Sequence, residues 1–429
     1  MVDLRRTVAW VAGLLVLGLA VSGRAENWAR FRGPGGLGHT PDKNLPIRWG
    51  GKDKENVLWR ADLKGQGHAS PIVWGDRVFV CTVFWPASVT DRKKVIPEHH
   101  VLCYGAADGR LLWDRTIRPG PWVRTDFRSG PGGGYAAPTP TTDGKLVFVA
   151  YGSSVIAALD FAGKVVWRKE IKPRTFDVTL GSSPVLYKDA VILLCAMARK
   201  QDSRLVAFRK DTGEVAWQTP LPTVAFGHST PIVFEAGGRW QVVFVASGIS
   251  TKPDGLQSFD PANGKRLWWA RGSGDASSPA YGGGVVYCDS GRGGPGTAVD
   301  PTGTGDVTAT HTRWTIRSMP SGISSPLIAG GHLYRLHGSS LGCWDLKTGK
   351  RVYSERLKGI SSPWASPIAD ANGRIYFANA GKSYVIQAGE EFKVLAVNDL
   401  GDGSHPSPAV AEGRMFLVGK KYVYCVGKK

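Results

Sequence analysis

The chain has 429 residues, 42% of them apolar, with 56 glycines, 16 tryptophans and a formal net charge of +19. That apolar content supports a packed core and excludes a chain that stays unfolded in isolation. Its six cysteines (Cys81, Cys103, Cys195, Cys288, Cys343, Cys425) are scattered singly, which excludes a zinc site of paired-cysteine spacing.

In chain order, Arg5 and Arg6 precede an apolar run from Val8 to Val21, and "SGRAEN" supplies small residues around Ala25. The run is too short for a comfortable membrane span, so residues 1–25 read as a secretory signal peptide, cleaved after Ala25. No cysteine follows the run, which argues against a lipid-modified N-terminus. Export to a periplasm or cell envelope allows Cys81 and Cys103, on neighbouring predicted strands, to bridge. Buried free thiols are the default for all six. An exported chain this basic is expected to meet anionic partners: acidic protein surfaces, acidic glycans or, peripherally, an anionic membrane surface. Export argues against nucleic acid.

Residues 26–55 read as an extended N-terminal strap, and a repeat fills 56–429. "GHASPIVWGDRVFVCTV" (Gly67–Val83) returns in degraded form as "GHSTPIVF", "SSPLIAGGHLY" and "SHPSPAVAEGRMFLV". Its proline recurs at Pro71, Pro140, Pro184, Pro231, Pro279, Pro326, Pro367 and Pro408. The spacings run from 41 to 48 residues after a first interval of 69, the period of a four-stranded propeller blade. Within each unit, β-branched runs are separated by Gly, Asn or Asp turns suited to positive φ. The fourth strand carries an aromatic four residues past its turn glycine (Trp113, Trp167, Trp217, Trp268, Tyr353), and Trp314 fills the same slot after a longer connection. A flat ring at one place per blade suits packing between adjacent sheets.

The last unit ends after three strands. The missing strand is available at the other end as "NVLWRADL" (Asn56–Leu63) with Trp59. The expected fold is therefore all-β: an eight-bladed β-propeller of four-stranded antiparallel blades, closed by pairing the N-terminal strand with the C-terminal blade. A monomer is expected.

"DTGEVAW" (Asp211–Trp217), "WDLKTGKRVY" (Trp344–Tyr353) and the opening "NWARFRGPGGLG" (Asn27–Gly38) resemble the tryptophan-docking repeat shared by pyrroloquinoline-quinone (PQQ) enzymes and BamB-like exported proteins. The resemblance spans essentially all of 26–429. It implies either a non-catalytic envelope binding module, or a PQQ- and calcium-dependent dehydrogenase of alcohols or sugars.

In a four-stranded meander the first–second and third–fourth turns share one face, and the second–third loops and interblade links share the other. The second set holds the long insertions Phe84–His100 and Arg118–Ala136, so that face is expected to bind. His68, His228 and His405 each stand three residues before an anchor proline, where the channel should open on that face. Ala137, Gly181, Ala276, Ile323 and Trp364 hold the slot in the other blades. Blades four and eight oppose each other, too far apart for one ion to join all three imidazoles. "CDSGRGGPG" (Cys288–Gly296) reads as a second–third loop on the same rim, offering Asp289 and Arg292 to a ligand. Arg124 and Arg128 belong to a basic patch in the insertions.

The expected function is an exported, non-catalytic scaffold that recognises envelope proteins or acidic glycans and needs no cofactor. The dehydrogenase alternative would use PQQ with calcium held by carboxylates among Asp275, Asp289, Asp399 and Asp402, with His68 or His405 as base and Trp364 stacked on the ring. The eight-bladed alcohol dehydrogenases of this type carry an adjacent cysteine pair, which this chain lacks.

Overall fold

A computed structural model describes residues 27–121, 134–171, 180–196, 203–248, 255–272, 274–360 and 364–429. Residues 1–25 lie outside that range.

Blade one is the meander Ile72–Trp74, Arg77–Phe84, Glu98–Gly105 and Leu111–Ile117, each strand antiparallel to the next. The pattern repeats through blade seven, which ends with Lys393–Asn398. Blade eight takes Ala409–Ala411, Arg414–Val418 and Tyr422–Gly427 from the C-terminus and Val57–Asp62 from the N-terminus. Trp59 stands opposite Cys425, and Asp62 opposite Tyr422. The closed, eight-bladed, all-β ring expected from the repeat is the observed fold.

The second strand of each blade is covered by a neighbouring sheet on both faces. Hence Leu146–Tyr151 and Ala190–Cys195 are buried almost throughout and read as continuous apolar runs instead of alternating ones. Outer strands see solvent, and Val166 and Val215 are exposed.

The recurrent tryptophan joins one blade to the next. Trp59, Trp113, Trp167, Trp217 and Trp314 lie against the third–fourth turn glycines of the following blades: Gly109, Gly163, Gly213, Gly264 and Gly349. Four of these indoles donate N–H to a carbonyl there: Trp59 to Ala106 (3.0 Å), Trp113 to Phe161 (3.0 Å), Trp167 to Lys210 (2.7 Å) and Trp314 to Leu346 (2.8 Å). The glycine is required twice over. Gly213 has φ +68°, and a Cβ there would sit 2.5 Å from the Trp167 ring. Gly213→Ala is therefore expected to cost about 2 kcal/mol or more, read as a fall in denaturation midpoint; an unchanged midpoint would contradict the docking.

Blade four breaks the rule. The Trp268 indole N–H donates to Gln241 of its own blade (2.6 Å), because blade five has a long third–fourth connection instead of a tight glycine turn. From it, Gly305–Asp306 pairs in parallel with Arg266–Ala270 and covers the outer edge of blade four. An insertion therefore also occupies the face expected to hold only tight turns. The insertion read as Phe84–His100 is shorter in the structure, because Glu98–Gly105 is a strand in which His99 and His100 are buried.

All six cysteines are free and buried. Cys103 faces Phe79 across the blade-one ladder while Cys81 faces Val101, so the two thiols are offset in register and the Cys81–Cys103 bridge is not formed.

The segment 27–50 lies across the tight-turn face. Asn27 accepts the N–H of Gly75 (2.7 Å), Trp28 bridges Val73, Lys43 accepts from Asn372 (2.7 Å), and Asp42 accepts the N–H of Gly413. It thus spans from blade one to blades seven and eight. Blade seven has no aromatic in its outer strand, and there Trp49 stacks on Tyr376 (centroids 6.4 Å) within the core shared with blade eight.

Candidate functional site: the axial cavity

Every anchor proline is preceded by a hydroxyl residue: Ser70, Thr139, Ser183, Thr230, Ser278, Ser325, Ser366 and Ser407. Proline pushes its predecessor into an extended conformation, which turns these residues alike at the start of each inner strand. Each donates its backbone N–H to the Oγ of the equivalent residue in the next blade, over 2.8–3.1 Å. Ser407 donates to Ser70 (2.9 Å), so the eight bonds form a closed circle around the axis. The sequence reading used the proline as a marker and missed this ring. The signal was present in the invariably hydroxylated position before it.

The ring lines a cavity of about 110 Å³. The residues three before each proline line it too, so His68, His228, His405 and Trp364 all reach it. Blades seven, eight and one place Trp364, His405 and His68 in one aromatic cluster. Trp364 and His405 stack at 4.3 Å, and His68 meets their edges at 4.8 Å (His405) and 5.4 Å (Trp364). His228 comes from the other side and packs over Gly181, where a Cβ would fall 2.4 Å from its Nδ1. Phe31, from the segment crossing the tight-turn face, lines the cavity as well. Next to it, buried Arg32 donates to the carbonyls of Pro279 (3.2 Å), Pro326 (2.6 Å) and Leu37 (3.2 Å).

Burial, then the proximity of His68 and Lys420, pushes the His405 imidazole down to about 4. Burial likewise takes His99, which lies 2.7 Å from Ser153 Oγ, down to about 3. An unfolded chain takes up these protons near pH 6.5. Between pH 6.5 and about 4 the unfolded state therefore binds more protons than the folded one, and stability falls as pH falls. His405→Phe retains the stack on Trp364 without the proton. Its unfolding free energy in urea is expected to fall less than that of wild type between pH 7 and 4.5; equal slopes would refute the assignment.

A family model described as outer membrane protein assembly factor BamB matches residues 51–230 and 228–388. The chain belongs to this BamB family.

Solved structures show how widely the scaffold is shared. BamB from Moraxella catarrhalis is 14% identical, with a TM-score of 0.60 over 87% of this chain and 97% of that one. A europium-containing methanol dehydrogenase is 12% identical (TM-score 0.67; 94% and 89% covered). The quinohemoprotein alcohol dehydrogenase from Comamonas testosteroni is 14% identical (TM-score 0.67; 96% and 82% covered). At such identities the likeness is one of fold. No curated protein sequence matches significantly.

In this BamB-family chain the remaining predicted site residues are not at the cavity. Asp289 closes the ladder between the second and third strands, opposite Gly296, and exposed Arg292 stands in the connection beyond it, where its backbone pairs with Ser321 of the fourth strand. Asp289 is 2% exposed and bound by Arg335 of blade six, Nε at 2.8 Å and Nη2 at 2.9 Å. Tyr287 (3.1 Å), Ser277 (3.2 Å) and the Gly291 N–H (2.8 Å) add to its shell. Burial works to raise the Asp289 carboxyl, but the Arg335 guanidinium prevails and holds it below the ordinary carboxylate value. Arg292 reaches back to Asp275 (2.6 Å), whose carboxyl is raised because burial outweighs that partner. Arg124 and Arg128 lie outside the described residues.

The described residues do not fit PQQ with calcium. Calcium takes six to eight oxygen ligands, yet no carboxylate lines the cavity among the described residues. Asp275 and Asp289 are occupied by arginines. Asp402 accepts the N–H groups of Lys420, Lys421 and Tyr422, and exposed Asp399 accepts that of Gly401. The cavity is also well below the roughly 300–1,000 Å³ typical of cofactor sites.

Proposed function

We propose that this protein is an exported scaffold of the cell envelope that binds partner proteins through its long-loop face and performs no chemistry of its own. The observation that carries this reading is the use of the carboxylates. Among the described residues, Asp275, Asp289 and Asp402 hold the scaffold together, while the axis offers hydroxyls, imidazoles and one indole. The family match, described as an outer membrane assembly factor, supports an envelope protein as partner. His68, His405 and Trp364 are the proposed contacts at the axis, with His228 facing them. Arg124 and Arg128 in the insertion, with the strongly basic chain around them, would favour acidic surfaces, whether on proteins, glycans or an anionic membrane. Residues 1–25 are proposed to direct export and to be removed. No helix among the described residues is long and apolar enough to cross a membrane.

The test uses the chain from Glu26 onward. Capture of envelope proteins is expected to weaken several-fold in His68→Ala and in Arg124→Ala/Arg128→Ala. Thermal stability is expected to move little by comparison, as for residues that contribute to binding more than to folding. Stoichiometric, calcium-dependent quinone absorbance on adding PQQ, with dye-coupled alcohol oxidation, would overturn the scaffold reading.

A further inference from the structure

Three features of the axis lack a counterpart in the protein. Each ring hydroxyl accepts its neighbour's N–H, and among the described residues its own proton has no acceptor. These residues are buried, so eight O–H donors surround one small cavity. Arg32 is 1% exposed and meets only carbonyls; no described carboxylate pairs with it, and its Nε has no acceptor. It lies behind the cavity lining and not in it: Pro279 and Pro326, whose carbonyls it binds, directly follow the ring members Ser278 and Ser325, and its neighbour Phe31 lines the cavity. Finally, the cavity lining contains no acidic side chain among the described residues.

A buried guanidinium without a counter-charge is costly, and neutral carbonyls solvate it without neutralising it. Waters alone would satisfy the hydroxyls but leave that charge unbalanced, and a cation would worsen it. We propose that the axial cavity binds a small monovalent anion, chloride to formate in size, held by ring hydroxyls and balanced by Arg32. The volume of about 110 Å³ leaves room for one such anion together with waters. The anion would act as a keystone: it lies where all eight blades meet and where the N-terminal segment crosses the axis. This inference does not depend on the partner reading, because an anion can occupy the axis whether or not the long-loop face captures a protein.

The decisive experiment soaks crystals of the chain, grown without halide, in sodium bromide and collects anomalous data at the bromine edge. A bromide peak in the cavity within hydrogen-bond reach of ring hydroxyls is expected; peaks confined to surface lysines and arginines would overturn the proposal. In solution, the ³⁵Cl NMR line of dilute chloride should broaden with the protein and sharpen again when formate competes. Arg32→Gln, which retains an amide donor but no charge, should weaken chloride binding by about tenfold or more; unchanged broadening would overturn the role of Arg32. Should that variant not fold, the bromide soak of the unmodified chain still decides.

Discussion

Arg335→Met is expected to destabilise the propeller by about 3–5 kcal/mol, close to the limit for a single substitution. Arg335 is fully buried and binds Asp289 through two nitrogens, while Nη1 also donates to the carbonyl of Leu336 (2.8 Å) and to that of Ser324. It ties the second strand of blade six to that of blade five. Removing it strands the Asp289 carboxylate in the interior, and the loss has a signature that a packing defect would not show. In wild type, the depressed Asp289 carboxyl contributes stability that is present above the ordinary aspartate value near 4 and is lost as pH falls through its folded value. Without Arg335, burial alone raises that carboxyl, so its contribution is lost as pH rises. The stability gap between variant and wild type should therefore narrow as pH is lowered from 7 toward 5. Asp289→Asn added to Arg335→Met should recover part of the loss, since an amide keeps an acceptor for the Gly291 N–H and carries no charge. Urea unfolding at the two pH values checks both points. A gap independent of pH, or a double variant weaker than Arg335→Met, would mean the pair is not the source of the energy.

The second large effect concerns closure of the ring. Trp59→Ala is expected to cost about 3–5 kcal/mol and to localise its damage. Trp59 completes blade eight through its strand and docks on Gly109 of blade one through its ring, with its N–H on Ala106. Hydrogen exchange should accelerate together in Val57–Asp62 and Tyr422–Gly427, the two segments that pair there. The amides of Ala190–Cys195, across the disc in blade three, should keep their protection. Trp167→Ala, at an internal seam, should cost a similar amount without opening the terminal pair. Uniform loss of protection across the ring in Trp59→Ala would show that closure is not a separable step.

These two sites differ in how far they were legible beforehand. Trp59 and its partner strand could be read from the chain, because each is a fragment of a unit repeated intact elsewhere. Arg335 could not. The only trace was a charged residue inside the apolar run "HLYRLHG", and its partner lies 46 residues earlier in another blade. The glycines around Asp289 read as a loop. In the structure they do connect the second strand to the third, whose ladder closes at Asp289 opposite Gly296, but they also pair with the fourth strand, Gly294 opposite Met319 and Arg292 opposite Ser321. The missing side chains leave ladder hydrogen bonds intact, and a composition rule that treats glycine only as a loop former misses that pairing.

The axial site was half legible for the same kind of reason. One position, three residues before the proline, carried His68, His405, His228 and Trp364 to the axis because every blade enters the ring in the same way. The stacking of Trp364, His405 and His68 depends on their coming from three consecutive blades around the closed circle. The hydroxyl ring and the buried Arg32 behind it come from contacts between blades, and from a segment that crosses them on the tight-turn face.

By itself, then, the sequence determined the repeat, the blade, the tight turns, the docking tryptophan and the join between the ends, since each is a local pattern whose recurrence dictates its own placement. Which charges are buried, which carboxylates are already taken, and what faces what across the axis were decided only by the tertiary structure. Those pairings join residues tens to hundreds of positions apart, and their energy comes from a dry, low-dielectric interior that forms only when the ring closes.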